Sequence, residues 1–110
     1  MKTLTAEQLR EMKDREDDFL LINTLDEEGF SQTRIPDSIN IPQSADDFVQ
    51  RVEQEAGGKN QKIVVYCASE QCDSSPTAAM KLEQAGFSNV FDFESGAEGW
   101  QQAGEKLAVA

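Results

Sequence analysis

Cys67 and Cys72, five positions apart, are the residues of this chain best suited to covalent chemistry. Cys67 closes an apolar run, Ile63-Val64-Val65-Tyr66. A polar loop from Ala68 to Asp73 follows, and Ser74-Ser75-Pro76 opens a helix. A thiol between a strand end and a helix start faces N–H groups that have no intrahelical partner. A loop curled around it would aim more amides at the sulfur and favour thiolate. Such a thiolate attacks sulfur, phosphorus or arsenic centres without a general base. The same position also suits an inert core thiol, because cysteine is among the most buried residue types.

Composition narrows the chemistry. The 110 residues include no histidine, which removes Cys–His and Ser–His catalysis and the commonest metal ligand. Two cysteines alone do not make a zinc site, which wants four ligands, and no metal or other cofactor is expected. Paired cysteines in one loop point to redox or sulfur chemistry more than to a structural staple. The net charge of −11 argues against nucleic acid and against anionic membrane surfaces. It gives a solvated acidic shell, or an acidic docking face for a basic partner. No apolar run approaches the ~20 residues of a membrane span, and the first residues carry no signal-peptide pattern. A cytoplasmic protein is expected, with a single domain over residues 1–110.

The elements that must position the two thiols follow from hydrophobic patterning. Thr3-Leu4-Thr5 is short and β-prone. Thr5 and Gln8 have capping-box spacing ahead of a helix that runs to about Arg15 and carries Leu9 and Met12. Phe19-Leu20-Leu21-Ile22, Ile63 to Tyr66 and Val90-Phe91-Asp92-Phe93 are continuous apolar segments, the mark of strands covered on both faces. Asp26 to Ser31 reads as a helical turn with Phe30 inward, and Ile39-Asn40-Ile41-Pro42 as a short strand closed by proline. Ser44 is the expected N-cap of a helix bearing Phe48, Val49 and Val52, with Asp46 and Asp47 in its first turn. Ser74 or Ser75 is expected to cap the helix that follows Cys67, with Pro76 near its first position and Gly86 beyond its end. A last helix is expected around Glu98 to Ala103, carrying Trp100. Apolar strands alternating with helices imply an α/β fold with a mainly parallel sheet and helices on both faces.

Three ordered stretches resemble the rhodanese-like domains of the single-domain sulfurtransferase type. The first is the strand ending in Cys67 with its Ala-rich helix: Ala78-Ala79, Leu82, Ala85-Gly86-Phe87 and Asn89-Val90. The second, Arg34-Ile35-Pro36-Asp37-Ser38-Ile39-Asn40-Ile41-Pro42, is similar to the family's His-Ile-Pro-Gly-Ala-Ile-Asn-Ile-Pro. The third, Ser95-Gly96-Ala97-Glu98-Gly99-Trp100, is similar to Gly-Gly-x-x-x-Trp. The resemblance covers nearly the whole chain. It implies a five-stranded parallel sheet flanked by helices and a cysteine at 67 that carries sulfane sulfur as a persulfide.

The departures fall on the reactive loop. The family pattern Cys-x-x-Gly-x-Arg-Ser becomes Cys67-Ala68-Ser69-Glu70-Gln71-Cys72-Asp73, and Asp-Val-Arg after the second strand becomes Asn23-Thr24-Leu25. The cations that would receive an anionic substrate are absent. A carboxylate ~7 Å from the sulfur opposes a unit negative charge by about 1.2 kcal/mol at an effective dielectric near ~40. Thiosulfate is therefore expected to be a poor donor compared with loops that carry the Arg; Glu70 and Asp73 either face the sulfur and add this repulsion or point outward as solvated loop residues. The absence of Arg and Lys from the loop also disfavours phosphatase and arsenate reductase chemistry.

The leading expectation is a sulfurtransferase with Cys67 as nucleophile and Cys72 as a resolving thiol. Ala68, Ser69, Glu70, Gln71 and Asp73 form the substrate-binding loop. The partners would be a small sulfur donor and a thiol acceptor, or a protein sulfur acceptor. Two alternatives stand beside it: a thiol–disulfide oxidoreductase using Cys67 and Cys72, and a non-catalytic interaction module. Cys72 could equally protect Cys67 from over-oxidation or have no role. Trp100 is expected in the core or beside the site, Arg34 in a surface ion pair, and Asn40 in hydrogen bonds beside the second strand.

Overall fold

The computed structural model describes residues 2–108. The expected span of 1–110 includes Met1, Val109 and Ala110, which lie outside the described residues. Ten elements follow in order: β1 (Lys2–Thr3), α1 (Ala6–Asp14), β2 (Phe19–Asn23), α2 (Glu27–Gln32), β3 (Ile39–Asn40), α3 (Phe48–Ala56), β4 (Lys62–Tyr66), α4 (Ser74–Gln84), β5 (Val90–Phe93) and α5 (Gly96–Gln102).

The strands form one sheet in the order β1-β5-β4-β2-β3, and every pairing is parallel. β4 is the central strand with β2 and β5 on either side, and these three apolar strands occupy the interior of the sheet, where both faces must be covered. Their register pairs Leu21 with Val64 and Asn23 with Tyr66. Side chains alternate between faces. Ile63, Val65 and Val90 pack with Phe48 and Val52 of α3 and with Ala78, Ala79 and Leu82 of α4. Val64, Tyr66 and Phe93 pack on the other face with Leu9 and Met12 of α1 and with Ala97 and Trp100 of α5. This is the expected α/β architecture, a parallel sheet between two helical layers. Among the described residues no helix is long and apolar enough to cross a membrane.

The helix starts follow local hydrogen bonding. The Thr5–Gln8 capping box forms in both directions, with Gln8 N donating to Thr5 Oγ1 over 3.1 Å and Thr5 N to Gln8 Oε1 over 2.9 Å. Ser44 is not the cap of α3. Two successive i→i+3 bonds, Ala45 N to Pro42 O and Phe48 N to Ala45 O, spend residues 42–47 in turns. The helix therefore begins at Phe48 with Asp47 at its cap. Asp73, not Ser74 or Ser75, sits at the N-cap of α4. Pro76 is thus the third helical residue, still within the first turn, where a missing N–H breaks no intrahelical bond. α5 begins at Gly96, two residues before the expected start. α2 buries none of its residues, and Phe30 is only half-buried.

Candidate active site

The register carries the chain from β4 directly to the first thiol. Tyr66 points to the α1/α5 side, so by alternation Cys67 turns toward α4, and it is fully buried. Cys67 and Cys72 form a disulfide with Cα atoms 6.4 Å apart, within the span such a bond bridges without backbone movement. The loop between them folds back through a turn in which Cys72 N donates to Ser69 O over 3.1 Å. Cys72 is half-buried; Ala68 and Ser69 are likewise partly covered, while Glu70, Gln71 and Asp73 face solvent.

Three straps hold the loop. At the start of α5, Ala97 N donates to Cys67 O and Glu98 N to Ala68 O, both over 2.9 Å. The close approach requires glycine at 96. Its φ is +63°, and a Cβ there would collide with Cys67 O and stand 2.9 Å from Ser69 N. At the end of β2, Thr24 N and Thr24 Oγ1 both donate to Tyr66 O, at 3.1 and 3.2 Å. At the start of α4, the Ser74 hydroxyl donates to Thr24 O over 3.0 Å and lies 2.8 Å from Thr24 Oγ1.

The surroundings of the Cys67 sulfur differ from the expected amide cradle. Its polar neighbours are Ser75 Oγ at 3.5 Å and Cys72 O at 3.6 Å. A disulfide sulfur carries no proton, so the serine hydroxyl is the donor in this state. The bond to Cys72 draws the loop into a short ring that offers Cys67 a carbonyl and a hydroxyl in place of backbone amides.

Two polar residues that the sequence did not single out for chemistry complete this neighbourhood. Ser75, considered above only as a cap, is the second residue of α4 and is buried against Cys67. Asp92 lies in β5 opposite Val65, on the face that carries Val90 and packs against α4. It is fully buried, and neither carboxyl oxygen has a hydrogen-bond partner. Desolvation raises its pKa above the ordinary carboxylate range. The nearby Ser75 hydroxyl opposes that shift, and the charge of Glu94 adds to it. The one available signal was an acid inside the otherwise apolar run Val90-Phe91-Asp92-Phe93.

The remaining candidates are structural. Trp100 is buried, meets Phe93 edge-on at 6.3 Å between ring centroids, and donates to Lys106 O over 3.2 Å. Asn40 Nδ2 donates to Asn23 O and Leu25 O, as expected beside the second strand. Arg34, expected in a surface ion pair, lies over the Phe30 ring at 5.3 Å, a cation–π contact among the described residues. The Tyr66 hydroxyl accepts from Ile35 N over 2.9 Å and lies 3.0 Å from Ser38 Oγ, and burial pushes its pKa up.

The Rhodanese-like domain family profile matches residues 5–103. No curated protein sequence matches the chain. Among solved structures, the thiosulfate sulfurtransferase of Pseudomonas aeruginosa superposes with a TM-score of 0.87 at 24% identity, over 99% of this chain and 20% of that one. The BH2092 protein of Bacillus halodurans gives 0.84 at 21%, over 98% of this chain and 77% of its own. A rhodanese-related protein of Thermoplasma volcanium gives 0.76 at 24%, over the full length of both. At these identities the likeness establishes the fold.

Proposed function

The chain belongs to the rhodanese-like domain family, and from that premise we propose that it is a two-thiol sulfurtransferase. The Cys67 thiolate attacks the sulfane sulfur of a small donor. A Cys67 persulfide forms, and the donor leaves as its thiolate or anion. The Cys72 thiolate then attacks Cys67 Sγ, closing the disulfide and releasing hydrosulfide. A protein or small-molecule thiol can take the sulfur instead. The observation that carries the reading is the Cys67–Cys72 disulfide at the carboxyl end of β4, where ligands bind in open α/β sheets.

The cycle needs reducing thiols to reset the disulfide, which suits the cytoplasm. Among the residues of the loop no cation faces the site, and Glu70 and Asp73 are exposed and acidic. Per- and polysulfides are therefore better donors than thiosulfate. The test is intact mass of the reduced protein after incubation with thiosulfate, polysulfide or glutathione persulfide in turn. Wild type gains one sulfur from at least one donor, and Cys67→Ser gains none. Cys72→Ser gains the sulfur and holds it longer. Sulfide release from Cys72→Ser at the wild-type rate removes the resolving role, and no gain from any donor removes sulfur transfer.

The same disulfide favours a second reading, thiol–disulfide exchange with a partner disulfide. It predicts turnover of a dithiol substrate in the absence of any sulfane donor.

A further inference from the structure

Most buried polar side chains of this fold have hydrogen-bond partners, as buried polar groups must. Asp92 has none. It shares a sheet face with Cys67, and α4 lays Ser75 over that face, 3.5 Å from Cys67 Sγ. Ser75 is also the hydroxyl that lowers the Asp92 pKa against the desolvation that raises it, while in the disulfide state no hydrogen bond joins the two. An acid, a hydroxyl and a sulfur are thus enclosed together, out of contact with water.

The disulfide is asymmetric. Cys67 is fully buried and Cys72 is half-buried, so an incoming thiolate reaches Cys72 Sγ. Cys67 must then depart as a thiolate into a site with little to stabilise an anion. We propose that the buried Asp92 carboxyl, acting through the Ser75 hydroxyl, supplies the proton that Cys67 takes up when the disulfide opens.

The step balances as follows. A small thiolate attacks Cys72 Sγ; the new S–S bond forms there and the Cys72–Cys67 bond breaks with its electron pair on Cys67. Ser75 gives its hydroxyl proton to Cys67 and takes one from Asp92, leaving a Cys67 thiol and an Asp92 carboxylate. A second thiol resolves the mixed disulfide, so two thiols are oxidised as the protein disulfide is reduced. Asp92 regains its proton from solvent. Ser75 touches the reacting sulfur; Asp92 is a positioning residue that acts through it.

Among the described residues, the other groups facing Asp92 offer no second acid inside this enclosure. β1 presents Thr3 and β4 presents Val65 in register with it, and Glu94 is the charge that acts on it. Lys2 lies over the Phe91 ring, and Lys81 of α4 donates to Gln43. Glu70 and Asp73 of the loop face solvent.

The inference rests on the two-thiol reading only in treating the disulfide as a working state, and its test uses no sulfur donor, so either can fail alone. Oxidised protein is reduced with dithiothreitol between about pH 4 and 9, and rates are divided by the thiolate concentration at each pH. In wild type the normalised rate falls about tenfold or more as Asp92 ionises. Asp92→Asn and Ser75→Ala give flat profiles. A carbon-13 carboxyl titration of wild type places the Asp92 midpoint at the same pH as the fall, and melting curves confirm that the variants are folded. A flat wild-type profile overturns the proposal. So does a fall that persists in Asp92→Asn or Ser75→Ala, or an Asp92 midpoint away from the fall.

Discussion

Asn23 and Asp92 are both fully buried polar residues inside strands of one sheet, and they are treated in opposite ways. Asn23, at the end of β2, is saturated. Its Nδ2 donates to Thr33 Oγ1 over 2.9 Å, and its Oδ1 accepts from Leu25 N over 3.0 Å. Asp92, two strands away in β5, has no partner for either oxygen. The β2 end, where the family's Asp-Val-Arg is replaced, has been turned into a fixed corner that orders the loop to α2 and clamps Tyr66. The β4–β5 end keeps an unsatisfied acid beside its reactive sulfur. Satisfied polar groups fix a fold, whereas an unsatisfied one is a group held ready to change its protonation.

The contrast can be broken most severely where the reactive end is pinned. Gly96→Ala places a Cβ against Cys67 O and Ser69 N at a φ of +63°. Strain and collision together should cost about 3 kcal/mol, read as a lower urea midpoint with the disulfide intact. A shift smaller than that of an exposed-site alanine control would show that α5 does not hold the loop.

The satisfied side of the contrast is tested at Asn23. Asn23→Ala leaves the Leu25 N–H and the Thr33 hydroxyl short of a partner and should cost about 2 kcal/mol at every pH. A costless Asn23→Ala would mean that the β2 corner is as loosely held as Asp92.

The smallest effect is the most specific in sign. Asp92 holds its proton more tightly folded than unfolded, so its contribution is complete in acid. It is lost as pH rises from the ordinary carboxylate range through the raised folded pKa. Asp92→Asn should therefore gain stability relative to wild type as pH rises above the ordinary carboxylate range. Parallel melts at acid and neutral pH measure this. A wild-type–variant difference independent of pH would place Asp92 with Asn23 as an ordinary structural residue.

Much of the scaffold was legible from residue order. The apolar runs Phe19–Ile22, Ile63–Tyr66 and Val90–Phe93 became β2, β4 and β5 because only a doubly covered strand tolerates such runs. Thr5 with Gln8 marked the start of α1, and Gly57 and Gly86 adopt the positive φ that ends α3 and runs beyond α4. Cap positions were less legible. Ser44, Ser74 and Ser75 are all good caps by type, but turns around Pro42 and the bonds to Thr24 and Cys67 claimed them first. The exposure of Glu70 and Asp73 was left open by sequence, since a six-residue loop can face its acids either way.

The sequence by itself determined a parallel α/β sheet with a cysteine at the end of a central strand, because hydrophobic period and chain connectivity act locally. Only the tertiary structure decided that Cys67 is the hidden sulfur and Cys72 the reachable one. It likewise decided that a serine from α4 and an aspartate from β5 close around Cys67. Those three residues come from separate elements, and their meeting depends on strand register and helix placement. The partners that would satisfy a buried acid are equally a property of the assembled interior, and residue order alone does not contain them.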